Sequence, residues 1–274
     1  VLVVERDLPW RSTRDPWEIL VAELMLQQTQ VRRVIPSWQL FLETMGTPAA
    51  CASAGRSAVL RAWEGLGYHR RAVALHQAAV QIVERYGGEV PDELEALHSL
   101  PGVGPYTARA VLAFAFEADV AVVDTNVARI LSRAVAGRPL TARESQALAD
   151  RLVTPGRAWA HNQAMLDLGA TTCAATPRCA ACPLRRSCAW RRRGLEAPDP
   201  ASTTAGTSRP QARFEGSDRQ LRGRILAALR GSEPEASWRP EAQERFGTDR
   251  VASAVAALEA EGLARRGRSG LTLG

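Results

Sequence analysis

The chain has 274 residues, 46% of them apolar, a formal charge of +6 and an isoelectric point near 9.6. That length serves one large core plus a small module, and no stretch approaches the roughly 18 apolar residues of a membrane span, so no membrane partner is expected. The positive charge is compatible with a polyanionic partner such as nucleic acid, as it is with many other proteins; all 35 Lys+Arg residues are arginine, which excludes a side-chain Schiff base.

The N-terminal VLVVERDLPWRSTRD breaks its apolar run at Glu5, Arg6 and Asp7, unlike a secretory signal. With five cysteines, an odd number, a disulfide framework is not expected, and the chain reads as cytoplasmic. From Trp17 to about Leu195, alanine-rich amphipathic stretches of helical spacing alternate with Gly/Pro turns, and no set of alternating strands stands out. The fold class is therefore all-α.

In DPWEILVAELMLQQTQV, Ile19 and Leu20 lie one helical turn before Glu23 and Leu26 one turn after it. Glu23 is a carboxylate at the edge of an apolar face, where burial raises a carboxyl pKa; the plain alternative is a boundary glutamate facing water. In LEALHSLPGVGPYTARAVLAFAF, a Pro-Gly-Val-Gly turn separates a short helix from one beginning near Pro105. The backbone of Gly102, Val103 and Gly104 and the fresh helix start make an anion site, against the alternative of an ordinary tight turn. In DVAVVDTNVARILSRAV, an apolar run ends at Asp124 and a helical pattern begins. Asp124 is an N-cap in this reading, and the helix N-terminus is expected to keep it ionised. A proton donor and an ionised carboxylate with pKa values pushed apart are the pair used to break a glycosidic bond.

Cys173, Cys179, Cys182 and Cys188 follow the spacing C-x5-C-x2-C-x5-C. Zinc sites more often show two short pairs, so the spacing favours a [4Fe–4S] cluster over zinc. Cys51 lies far away in an alanine-rich segment and reads as packing. Residues 194–216, rich in Pro, Ser, Thr, Ala and Gly, read as a linker. After them come a helix over 218–230, a short helical piece around 240–246, a helix over 248–261 and two short strands around Arg268-Ser269-Gly270. This order fits a winged-helix-like module over 217–274, with a helical dimerisation appendage as the alternative.

LPGVGPYTARA followed by VVDTNV resembles the helix-hairpin-helix DNA glycosylases, and the cysteine array after LDLGATTC resembles the iron–sulfur loop of the endonuclease III branch. LPWR, AELMLQQTQVRRVIP, WEGLGYHRRA and NQAMLDLGA are most similar to the adenine DNA glycosylases of the MutY type. The resemblance implies a six-helix domain plus cluster domain over residues 1–193, a [4Fe–4S] cofactor, and double-stranded DNA with A:8-oxoguanine or A:G mispairs as partner. It also implies a monomer located in the cytoplasm near the nucleoid.

Carried over residue by residue, it makes Glu23 the general acid, Asp124 the stabiliser of the cationic sugar and Asn126 its orienter. Tyr106 takes the position of the lysine of bifunctional relatives, which implies no efficient β-lyase step. Arg6, Trp10, Arg11, Leu26 and Gln163 would line the base pocket; Gln27, Gln28 and Tyr68 would serve it and the gap left by the flipped base. Plain core packing is the alternative for Trp10, Leu26 and Tyr68, and an exposed helix face for the glutamines. Arg178, with Arg185 and Arg186, would contact phosphate. Three departures stand out: Thr125 where the family more often has glycine, five residues instead of six between the first two cysteines, and residues 217–274 too few for the Nudix-like domain that commonly reads 8-oxoguanine. A thymine or uracil glycosylase acting opposite guanine is the nearer rival, and a non-enzymatic iron–sulfur DNA-binding regulator the more distant one.

Overall fold

The computed structural model describes residues 6–204, 213–267 and 270–274. The chain is mostly helical and divides into two compact units. Among the described residues no helix is long and apolar enough to cross a membrane.

One unit comprises Val1–Leu20, Asp92–His98 and Val103–Pro210. The first turns of α1 (Pro16–Leu26) begin in it, followed by α6 (Leu94–His98), α7 (Pro105–Phe114), α8 (Thr125–Ile130), α9 (Ala142–Asp150), α10 (Ala158–Thr171) and α11 (Ala189–Arg192). Helix α8 continues without a break into a π-helical turn over Leu131–Ala136, a wider winding common near functional sites. Helix α9 starts at a capping box in which Thr141 accepts from the Glu144 amide and Glu144 accepts from the Thr141 amide. The core joins α8 to α10 at Val127, Ile130, Ala164 and Leu168. Gly169 makes this approach possible, because a Cβ there would stand 2.6 Å from the Asn126 Cβ.

The stretch expected as a weak linker is not featureless. Asp199 caps a 3-10 turn over Pro200–Ser202, Ala201 and Thr204 are buried, and Asp199 pairs with Arg133.

The other unit comprises Val21–Pro91, Ser99–Gly102 and Gln211–Gly274. It holds the rest of α1, α2 (Val31–Met45), α3 (Pro48–Ala54), α4 (Arg56–Ala62), α5 (Arg70–Tyr86), α12 (Asp218–Arg230), α13 (Glu235–Phe246), α14 (Thr248–Ala260) and an antiparallel hairpin of β1 (Ala264–Gly267) and β2 (Gly270–Leu273). Helix α5 turns Ala72, Leu75, Ala78, Ala79 and Ile82 inward at helical spacing. Trp63 and Phe41 meet edge to face with centroids 6.4 Å apart. Cys51 is fully buried and its thiol is pushed up to about 12, as packing requires.

The C-terminal helices and hairpin follow the expected order, with one difference. Helix α13 runs from Glu235 through Pro240 rather than starting at the proline. Trp238, Ala242 and Phe246, four residues apart, bury one face and hold the helix together across it. Of the expected strand turn, Arg268 and Ser269 lie outside the described residues.

Candidate functional site

Asp124 follows the apolar run 120–123 and caps α8. Its Oδ1 accepts from the amides of Asn126 (2.8 Å) and Val127 (2.7 Å), and its Oδ2 from Asn126 Nδ2 (2.6 Å). Asn126 Oδ1 in turn accepts from Arg129 Nη2 at 2.7 Å, and the same guanidinium donates to the carbonyls of Gly169 (2.8 Å) and Cys173 (2.6 Å). A continuous hydrogen-bonded path thus joins the carboxylate to the first cysteine of the array. Arg129 carries no role in the sequence reading; its signal is only that it lies one helical turn after Asn126.

The helix start that is expected to keep Asp124 ionised acts there against burial. Burial pushes its pKa up, opposed by the three hydrogen bonds and the Arg129 charge. Sequence shows the local donors of a cap, whereas the packing that strips water from the carboxylate comes from distant segments. Thr125, the departure from glycine, takes the first helical position of α8.

Glu23 is 5% exposed, which replaces the water-facing alternative with a buried carboxyl. Leu26 and Gln27 are half-buried where α1 ends, and Gln28 is exposed with φ +57. Gln27 Nε2 donates to the Gly102 carbonyl at 3.3 Å. Tyr68 is exposed with φ +47. Left-handed backbone is uncommon for such residues and clusters where function overrides local preference.

Arg71 organises both loops. Its buried guanidinium donates to the carbonyls of Leu24 (2.8 Å), Met25 (2.7 Å) and Gly67 (3.0 Å) and to the Thr29 hydroxyl (2.9 Å), and lies over the Tyr68 ring. Burial lowers it to about 10, so it remains a cation. WEGLGYHRRA contains this arginine, yet no spacing rule announces that it reaches back to the end of α1.

Of the remaining expected pocket residues, Trp10, Arg11 and Gln163 are buried and Arg6 is half-buried. The structure gives the two arginines a shared partner. Arg11 Nη2 and Arg6 Nε both meet Asp167 Oδ1, at 2.7 and 2.5 Å. Asp167 is wholly buried and needs such cations to stay charged.

At the turn between α6 and α7, Gly102 has φ +79, and a Cβ on it would approach the Ala74 Cβ to 2.8 Å. Gly104 caps α7 with φ −88 and has nothing near a Cβ, so only the first of these glycines is sterically required. Val103 is buried, and Tyr106, half-buried, lies in the first turn of α7, whose leading amides have no partner within the helix.

The four cysteines are half-buried, unpaired by disulfides and line one pocket walled by Ile130, Leu168, Leu184 and Trp190. Among the described residues, no three His, Cys, Asp or Glu side chains converge on a single ion. Four thiols lining one pocket are a donor set of the kind that holds a metal centre. Arg133, from the π turn, donates to the Ala174 and Ala175 carbonyls at 2.7 and 3.0 Å and reaches Cys173 Sγ at 3.7 Å, so the shortened first loop is tied down internally. Arg178, Arg185 and Arg186 are exposed, as are Arg191, Arg192 and Arg193.

Residues 21–155 match the HhH-GPD superfamily of base excision DNA repair proteins. The adenine DNA glycosylase of Mycolicibacterium smegmatis is 47% identical over 232 residues, 83% of this chain and 76% of that protein. Among solved structures, a thermostable thymine-DNA glycosylase superposes with TM-score 0.64 at 30% identity, over 69% of this chain and 89% of the other. An endonuclease III trapped covalently on DNA gives 0.62 at 25% identity, over 70% and 91%. With a relative 47% identical over 83% of its length and a superfamily match across residues 21–155, this chain belongs to the adenine DNA glycosylase family, base-excision repair enzymes of the HhH-GPD superfamily.

Proposed function

We propose that the protein hydrolyses the N-glycosidic bond of adenine paired with 8-oxoguanine or guanine in double-stranded DNA. In this reading Glu23 protonates the departing base from its apolar surroundings, and Asp124 stabilises the positive charge that develops on the sugar. The observation that carries the reading is the Asp124 carboxylate fixed by three donors at the head of α8. Asn126 orients it. Tyr106, in a chain without lysine, leaves no amine for strand cleavage, so the enzyme is monofunctional.

Arg6, Trp10, Arg11, Leu26 and Gln163 shape the adenine pocket, while Gln27, Gln28 and Tyr68 occupy the opened stack. Gly102, Val103 and Gly104 hold a phosphate on backbone amides, and Arg178, Arg185 and Arg186 add charge. Cys173, Cys179, Cys182 and Cys188 hold a [4Fe–4S] cluster, which supplies a cross-link for their loop. Iron and sulfide analysis of anaerobically prepared protein tests this, and a colourless zinc-bound protein rejects it. The C-terminal segment is a winged-helix-like module, and the enzyme acts as a monomer in the cytoplasm, at the nucleoid.

Replacing Glu23→Gln and, separately, Asp124→Asn and following adenine release in a single turnover tests the assignment. Loss of release with DNA binding retained supports it. Release at the parent rate from either variant rejects the role of that residue. The likeness to a thymine-DNA glycosylase structure favours thymine or uracil opposite guanine as the second reading.

A further inference from the structure

The C-terminal helices have a structural tie to the loop carrying Tyr68. Glu261, after α14, pairs with both Arg70 and Arg222, and Arg230 reaches His69 at 2.9 Å. Ser57 donates to the Gly274 carbonyl at 2.6 Å. These links fix α12 beside the start of α5, all within one compact unit.

They create a cleft of about 720 Å³ with Gln27, Gln28 and Tyr68 on one side and Arg219, Arg222 and Phe214 on the other. Arg219 Nη1 donates to the Tyr68 hydroxyl at 3.3 Å and its guanidinium lies over the Phe214 ring. Arg33, Arg70 and Arg71 also line the cleft, and among the described residues no aspartate or glutamate does. Glu261 offsets Arg70 and Arg222, but the donors of Arg71 go to carbonyls and a hydroxyl, so the cleft keeps a net positive charge. Cations, exposed aromatic rings and side-chain amides in one groove are the chemistry that tracks a nucleic-acid strand: phosphate to arginine, base face to ring, base edge to amide. Two of the residues facing it, Gln28 and Tyr68, hold left-handed backbone.

We propose that this cleft receives a strand of the substrate duplex, with Arg219 of α12 contacting a phosphodiester beside Tyr68, so that the C-terminal module forms part of the DNA-binding surface. This rests on the DNA glycosylase reading but not on adenine being the excised base. The site is built from two segments distant in sequence, and only the docking of α12 on the Glu261 and His69 links brings Arg219 to the loop.

The test is binding of the full chain to a duplex with a tetrahydrofuran abasic analogue, which the enzyme cannot turn over, measured by fluorescence anisotropy across a salt series. Arg219→Ala is expected to weaken binding about fivefold at moderate salt and to lower the slope of log K against log salt by about 1. Arg219→Lys, which keeps a point charge, is expected to recover most of the slope. Arg224→Ala, on the same helix but paired with Glu241 outside the cleft, is expected to change neither quantity. An unchanged slope for Arg219→Ala, a Lys variant that behaves like Ala, or an equal effect from Arg224→Ala would overturn the proposal. Because the probe has no adenine, such a failure is separate from any failure of adenine release.

Discussion

Asn126 Nδ2 donates to Asp124 Oδ2 at 2.6 Å while its Oδ1 accepts from Arg129, so one amide side chain both orients the carboxylate and is itself oriented. The amide cannot flip without breaking one of these bonds. Asn126→Ala should therefore slow base release by about tenfold or more, with DNA binding little changed. Gly169→Ala should act on the same group through packing, since its Cβ would meet the Asn126 backbone carbonyl oxygen at 2.8 Å. Single-turnover rates for both variants check this, and a parent rate for Asn126→Ala would remove the orienting role.

Arg71 ties the end of α1 to the loop at Gly67 and Tyr68 with a single buried guanidinium. Arg71→Met would leave several buried carbonyls without donors, a loss expected to cost about 3 kcal/mol. Chemical denaturation measures it directly, and a change below about 1 kcal/mol would show that the loops are held by other means.

Much of this framework is legible in sequence, and the limits have a physical pattern. Helices α1, α5, α7 and α12 announce themselves by apolar spacing, and the Asp124 cap by the switch from an apolar run to a helical one. What sequence hides is the pairing of charges far apart in the chain: Arg71 with the α1 carbonyls, Arg11 with Asp167, Arg133 with Asp199. Nothing in the local spacing of those residues announces the partner. The burial of Asp124 is hidden for the same reason, because local donors are visible and remote packing is not. The order of the C-terminal elements was readable, whereas the persistence of α13 through Pro240 depends on the face formed by Trp238, Ala242 and Phe246.

His69 is lowered to about 4 by burial and by the positive charges of Arg230, Arg71 and Arg222. It is neutral when folded, and the unfolded chain binds a proton below about 6.5, so stability is lost as pH falls from 6.5 toward 4. The loss should reach about 3 kcal/mol at the acid end of that window. His69→Gln should flatten the profile there. Urea midpoints at several pH values check this, and an identical acid profile in the variant would place the sensitivity elsewhere.

The two glycines of the turn between α6 and α7 should respond differently. Gly102→Ala combines a left-handed φ of +79 with a 2.8 Å approach to Ala74 and should destabilise by about 2 kcal/mol. Gly104→Ala adds a methyl in open space at φ −88 and should be tolerated in stability. Thermal melts of the two variants provide the comparison, and equal destabilisation would contradict the steric argument.

Release of adenine according to the base opposite it is the property to measure. Single-turnover excision should be measured on duplexes carrying A opposite 8-oxoguanine, A opposite guanine, A opposite thymine, and T or U opposite guanine. Adenine release should be fastest opposite 8-oxoguanine and slower opposite guanine, with A:T left intact. Release of thymine or uracil in preference to adenine, or no release from any duplex, would contradict it.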